Sequence, residues 1–125
     1  MQSNIPKKIL IIDDEKELCS ILTEFFSTEG FVVEVAHNGI EGLSQVEKFA
    51  PDVILLDIKM PQMRGDECLA KIVKITTSPI IIVSGSLSEK RKEYCMVSGA
   101  YEFISKPINL DFVLEKVHSA LKNKC

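Results

Sequence analysis

The sequence predicts an α/β fold, a three-layer sandwich around five parallel strands, and three observations predict it. Short, purely aliphatic runs at residues 9–12, 53–56 and 80–83 are rich in β-branched side chains and bounded by polar or turn residues. Strands covered on both faces look like this. Stretches with helical spacing of apolar residues lie between them. The two patterns alternate with a rhythm of roughly 22 residues, that of a βα unit and not of a solenoid, because the helical faces do not resemble one another.

Taken in order, the first run ends in Asp13-Asp14. Leu18, Leu22, Phe25 and Phe26 then follow i, i+4, i+7, i+8, and Gly30 suits the end of that helix. Residues 31–35 carry Glu34 among apolar neighbours, as befits a strand near a sheet edge. Asn38, with Glu41 three residues on, opens a second helix with Leu43, Val46 and Ala50 on one face. After the strand at 53–56, Leu69, Ile72 and Val73 mark a third helix. The strand at 80–83 leads to a fourth helix, opened by the pattern Ser86-x-x-Glu89 and stopped by Gly99. It is the least amphipathic, with Lys90, Arg91, Lys92 and Glu93 in a row. Phe103-Ile104 is a short fifth strand, and a fifth helix opens at Asn109 with Leu110, Val113, Leu114, Val117 and Leu121 on one stripe. Strand, helix, strand with short loops means parallel strands joined by right-handed crossovers.

A chain of 125 residues with 46% hydrophobic and 26% charged residues reads as one domain, with its core between about residues 8 and 121. That length supports a core without staples. Against 18 acidic residues stand 15 basic ones, a net charge of −3, which is a poor footprint for direct nucleic-acid binding. No apolar run is long enough for a membrane span and no signal-peptide layout opens the chain, so a soluble cytoplasmic protein is expected. Cys19, Cys68 and Cys95 read as core or boundary residues, and Cys125 as an exposed, incidental thiol. His37 and His118 are isolated, and a structural or solvated role is expected of both.

Open α/β sheets bind ligands beyond the carboxyl ends of their strands. The residues that follow the runs are Asp13 and Asp14, then Asp57, then Ser84, then Lys106. Three carboxylates, a hydroxyl and an ammonium thus collect on one rim. Each has a plainer reading: the paired acids could cap the first helix, Ser84 could simply end a strand, and Lys106 could be a surface lysine. Gathered carboxylates repel, however, and all-oxygen donors favour a hard cation, Mg²⁺ first and Mn²⁺ second. Pro107 adds that the Lys106–Pro107 bond can be cis, turning the lysine inward. This chemistry points to phosphoryl transfer.

From about Lys8 to Leu121 the sequence resembles the receiver domains of two-component response regulators. The likeness rests on Asp13-Asp14, on the stretch from Asp57 to Gly65, on Ser84, and on the stretch from Gly99 to Pro107. It implies the flavodoxin-like strand order 2-1-3-4-5 and no enzyme activity beyond the chain's own phosphorylation and dephosphorylation. It implies Asp57 as phosphoacceptor and a Mg²⁺ site on Asp13, Asp14, Asp57 and the backbone carbonyl of Lys59. Ser84 and Lys106 would meet the phosphoryl oxygens, Ser84 and Phe103 would form the switch, and the Lys106–Pro107 bond would be cis. The implied partners are a histidine kinase or histidine phosphotransfer protein and a downstream effector, with a phosphorylation-dependent dimer as a further state.

Three positions depart from the family pattern: Ser84 for the commoner threonine, Gly85 for alanine, and Phe103 without a phenolic hydroxyl. The side chains expected to overlook the attacking water are Lys59 and Ser86. Neither is suited to orient it, so a persistent aspartyl phosphate is expected. The rival reading is a small phosphohydrolase with an aspartate nucleophile, which would want an Asp-x-Asp pattern where the chain has adjacent acids. An FMN carrier would want a Ser/Thr/Gly-rich loop after the first strand. With Met1 close before that strand, the chain reads as a free-standing regulator or the N-terminal domain of a longer one.

Overall fold

In the computed structural model, which describes residues 5–59, 65–85 and 87–123, helices cover both faces of one sheet. The elements run β1 (Lys8–Ile12), α1 (Lys16–Thr28), β2 (Val32–Ala36), α2 (Gly39–Phe49), β3 (Val53–Leu56), α3 (Gly65–Ile72), β4 (Ile80–Ser84), α4 (Glu89–Val97), β5 (Glu102–Ser105) and α5 (Leu110–Lys122). All pairings are parallel, and the strand order is β2-β1-β3-β4-β5. This is the predicted flavodoxin-like order. The strand that carries Glu34 lies at one edge and the short β5 at the other.

Side-chain alternation divides the core in two. Ile9, Ile11, Val53, Leu55, Ile81, Val83 and Ile104 point to one face, where Leu22 and Phe26 of α1 and Val113 and Val117 of α5 cover them. Leu10, Ile12, Ile54, Leu56, Ile80 and Ile82 point to the other, against Val46 of α2, Leu69 and Ile72 of α3, and Cys95 of α4. Between Lys8, which opens β1, and Ser84, which ends β4, the central strands are apolar because both of their faces are covered.

Helix ends account for the departures from the sequence reading. Helix α4 starts at Glu89 with Ser88 as its cap, its hydroxyl accepting from Arg91 N, and not at Ser86. Ser86 itself lies outside the described residues. Ala50 is not on the apolar face of α2: it is exposed and ends the helix in the left-handed conformation, at φ 51°. Val73 falls one residue past α3 and is 36% exposed. Gly30, at φ 95°, follows the C-cap Glu29 of α1, where the left-handed turn favours glycine. Asn38 and Asn109 cap α2 and α5, accepting from the backbone N–H groups of Glu41 and Phe112.

Cys19, Cys68 and Cys95 are buried as free thiols. Burial pushes Cys19 up to about 12 and Cys68 to about 11, and raises Cys95, so all three stay protonated at neutral pH. Cys125 lies outside the described residues. His118 stacks on Phe31, and His37 sits with Nδ1 3.3 Å from the carbonyl of Asp13. Among the described residues no helix is long and apolar enough to cross a membrane.

Candidate functional site

The sheet places the site through its backbone. Past the end of β1, the N–H of Asp13 donates to the carbonyl of Ala36, at 3.0 Å. Past the end of β3, the N–H of Asp57 donates to the carbonyl of Ile12, at 2.9 Å. Ser84 ends β4 opposite Ser105, and Lys106 N donates to the Ser84 carbonyl at 2.8 Å. Sheet hydrogen bonding therefore continues for one residue beyond β1, β3 and β5 and fixes where the side chains of Asp13, Asp57 and Lys106 begin. The Lys106–Pro107 peptide is cis.

Asp57 is 4% exposed, and both of its carboxylate oxygens are engaged. Oδ1 accepts from the Ser84 hydroxyl at 2.8 Å and from Lys59 N at 3.0 Å. Oδ2 faces the Lys106 ammonium at 3.2 Å. Ser84 is fully buried, so its hydroxyl has no water to turn to. The Lys59 side chain is exposed, and its N–H bond to Asp57 tightens the turn after β3.

Asp13 is 3% exposed; its Oδ1 accepts from Glu15 N at 2.9 Å and its Oδ2 meets Lys106 at 3.1 Å. Burial raises its pKa from the ordinary 3.8 to about 6, and the charge of Asp57 adds to the rise. The Glu15 N–H and Lys106 oppose that rise without cancelling it. Lys106 is the converse case. Burial works against its charge, but hydrogen bonds to Glu15 and Asp13 and the charges of Asp13 and Asp57 outweigh it, and its pKa is raised. It is a permanent cation among carboxylates.

Asp13, Asp14 and Asp57 each offer an oxygen within 4.8 Å of the others. Three hard anionic donors at that spacing suit Mg²⁺ or Mn²⁺, and the charges they bring together favour such an ion. Phe103, the expected switch aromatic, is half-buried against the α2–α4 face, with the Lys92 ammonium 5.1 Å from its ring centroid. Residues 60–64 of the stretch after Asp57 lie outside the described residues.

One participant escaped the sequence reading. Glu15, not Asp13 or Asp14, occupies the N-cap position of α1, and its carboxylate reaches Lys106. The only signal was a third consecutive acid after Asp13-Asp14.

The chain matches the family model for the response regulator receiver domain over residues 9–118. It is 40% identical over 112 residues to a protein-glutamate methylesterase/protein-glutamine glutaminase of Bacillus subtilis, covering 83% of this chain and 31% of that protein. It is 32% identical over 115 residues to the transcriptional regulatory protein CpxR of Escherichia coli K12, covering 92% of this chain and 49% of CpxR. The chain thus spans 31% to 49% of the length of these relatives. A CheY-like receiver domain protein from Methanospirillum hungatei superposes with a TM-score of 0.92 at 34% identity, covering 94% of this chain and 95% of that one. Fold, rim chemistry and these likenesses agree: the chain belongs to the response regulator receiver domain family.

Proposed function

We infer that Asp57 accepts a phosphoryl group from a phosphohistidine of a sensor kinase or phosphotransfer protein. The observation that carries this reading is the buried Asp57 carboxylate, bracketed by the Ser84 hydroxyl and the Lys106 ammonium within a group of acids able to hold a cation. An Asp57 oxygen attacks phosphorus in line with the P–N bond, and the imidazole nitrogen leaves with the bonding pair. A cation held by Asp13, Asp14, Asp57 and the Lys59 carbonyl would neutralise charge on the phosphoryl oxygens. Lys106 supplies a second positive charge at the same oxygens. Ser84 moves its hydrogen bond from Asp57 Oδ1 to a phosphoryl oxygen. That shift vacates space beside β4, and Phe103 turns in to fill it, which changes the α4–β5–α5 surface read by an effector or by a second phosphorylated copy.

The groove beside Lys106, lined by Leu18, Ile21, Pro107, Ile108 and Leu110, supports α1 as the face on which the phosphodonor protein rests, because Lys106, which contacts the acceptor, forms one wall of it. The site lies in the cytoplasm in this reading, where phosphohistidine kinases find their ATP. Modification of Asp57 is stoichiometric, and the chain turns over no separate substrate.

Acetyl phosphate with Mg²⁺ is expected to add a single phosphoryl group by intact mass, and none to Asp57→Asn. Equal labelling of that variant would overturn the assignment.

A further inference from the structure

Lys106 is shared among three carboxylates. Its ammonium lies 3.1 Å from Asp13 Oδ2 and 3.2 Å from Asp57 Oδ2, and makes its shortest contact with Glu15 Oε1. An ammonium has three N–H donors, so none is left over. The acceptors are not equivalent. The side chains of Asp13 and Asp57 are 4% exposed and that of Glu15 is 57% exposed. Glu15 also stands at the N-cap of α1, where a short polar side chain would normally bond the helix's own N–H groups. It makes no such bond. Its carboxylate is extended instead across the rim to a lysine 91 positions away in sequence.

We propose that Glu15 is a positioning residue for Lys106: it holds the ammonium while Asp57 is unmodified and yields it to the phosphoryl oxygens as they arrive. The proposal rests on the reading of Asp57 as phosphoacceptor. A phosphoryl group on Asp57 brings new anionic acceptors to an ammonium whose donors are all engaged, so one existing bond must break. Asp57 becomes an acyl phosphate and passes its charge and its ammonium contact to the phosphoryl oxygens, so any further contact to them must come from Asp13 or Glu15. Releasing Asp13 would strip a buried carboxylate of its ammonium. Releasing Glu15 returns an exposed carboxylate to water, at little cost because exposed ion pairs are weak. Glu15 is therefore the exchangeable partner. Until it lets go it competes with the phosphoryl group for Lys106, and this competition slows transfer.

The test is the labelling rate with acetyl phosphate and with phosphoramidate, small donors of different net charge, at fixed Mg²⁺. Parent, Glu15→Gln, Lys106→Ala and the double variant are compared. Glu15→Gln is expected to label about two- to fivefold faster than the parent, the range set by one weak ion pair. The gain should be alike for both donors and should vanish in the Lys106→Ala background. An unchanged or slower rate overturns the proposal. So does a gain that survives without Lys106, or one confined to the more highly charged donor, since either would mean a general field effect. The ¹⁵N signal of the Lys106 ammonium is read in parallel, without cation or donor. It should shift in Glu15→Gln, and an unshifted signal overturns the proposal independently of any labelling. If the parent itself takes no label, the Asp57 reading fails and the exchange falls with it. If only the Glu15→Gln effect is missing, the Asp57 reading stands and this proposal fails.

Discussion

Asp13 and Asp57 come from different strands, yet they share the Lys106 ammonium and differ in what else they hold. Asp57 receives a hydroxyl and a backbone N–H on one oxygen, whereas Asp13 receives only the Glu15 N–H on its far oxygen. Each hydrogen bond to the charged form favours ionisation, and burial opposes it. For Asp13 burial wins, and its pKa rises to about 6. Lys59 belongs to this scale too. Its N–H is committed to Asp57, while its exposed side chain is free to lie over the approach of a hydrolytic water. A lysine ammonium cannot accept a proton from that water, whereas an amide can both accept and donate. Lys59→Asn is expected to shorten the life of the aspartyl phosphate several-fold. Decay of the phosphorylated protein in Mg²⁺ measures it, and equal decay of parent and variant would remove Lys59 from control of the lifetime.

Helix ends and helix contacts show how each element is tuned. Among the described residues, Asn38, Ser88 and Asn109 cap their helices with their side chains, each cap worth about 1 kcal/mol. Helix α1 forgoes one, because its cap residue is occupied at the rim. Helix α2 lies close on β1, and a Cβ on Gly42 would come within 2.7 Å of Ile12 Cδ1 and 3.1 Å of both Cγ atoms. Glycine there gives up as much as ~1 kcal/mol of helix propensity relative to alanine. Overpacking costs about 1–3 kcal/mol, and Ile12, fully buried, has nowhere to swing. The clash wins: Gly42→Ala should be net destabilising by about 1 kcal/mol and lower the melting temperature by about 4 °C. A thermal melt no lower than the parent's would mean that α2 shifts outward freely. Because β1 leads directly into Asp13 and Asp14, this contact also anchors the rim.

For the whole molecule, the gathered acids are a folding liability that a cation offsets. Asp13, Asp14 and Asp57 are held together only in the native state, so an ion bound there stabilises the fold by mass action, by about 2.7 kcal/mol at a hundredfold excess over Kd. Asp14→Asn should melt higher than the parent without cation and gain less from Mg²⁺, and a chelator should reverse the gain in both. Equal Mg²⁺ shifts in the two proteins would exclude Asp14 from the site. The pH dependence has a definite sign. Asp13 titrates at about 6 in the fold against 3.8 ordinarily, so between those values the native state binds more protons than the unfolded chain. Stability of the cation-free protein should therefore fall as pH rises from about 4 to 6, and a melt series in chelator reads that slope.

The strands and helices were legible in the sequence because they rest on local patterns. Runs buried on both faces are aliphatic throughout, and helical faces repeat at fixed spacing. The rim was legible for the same reason, since in a parallel sheet the residue after each strand has only one end to occupy. Local signals failed where two equivalent ones competed or where the chain turned. Ser86 and Ser88 are both good caps, and the path out of β4 selected the second. Ala50 suited the helical face of α2, and the reversal into β3 put it in a left-handed turn instead. No periodicity could announce that Glu15 and Lys106 would meet, because the pairing depends on β1 and β5 lying at set places in one sheet. Sequence alone determined which residues reach the rim. Tertiary structure decided which of them share a proton donor, because hydrogen bonds form between atoms that only strand register and helix packing bring within reach.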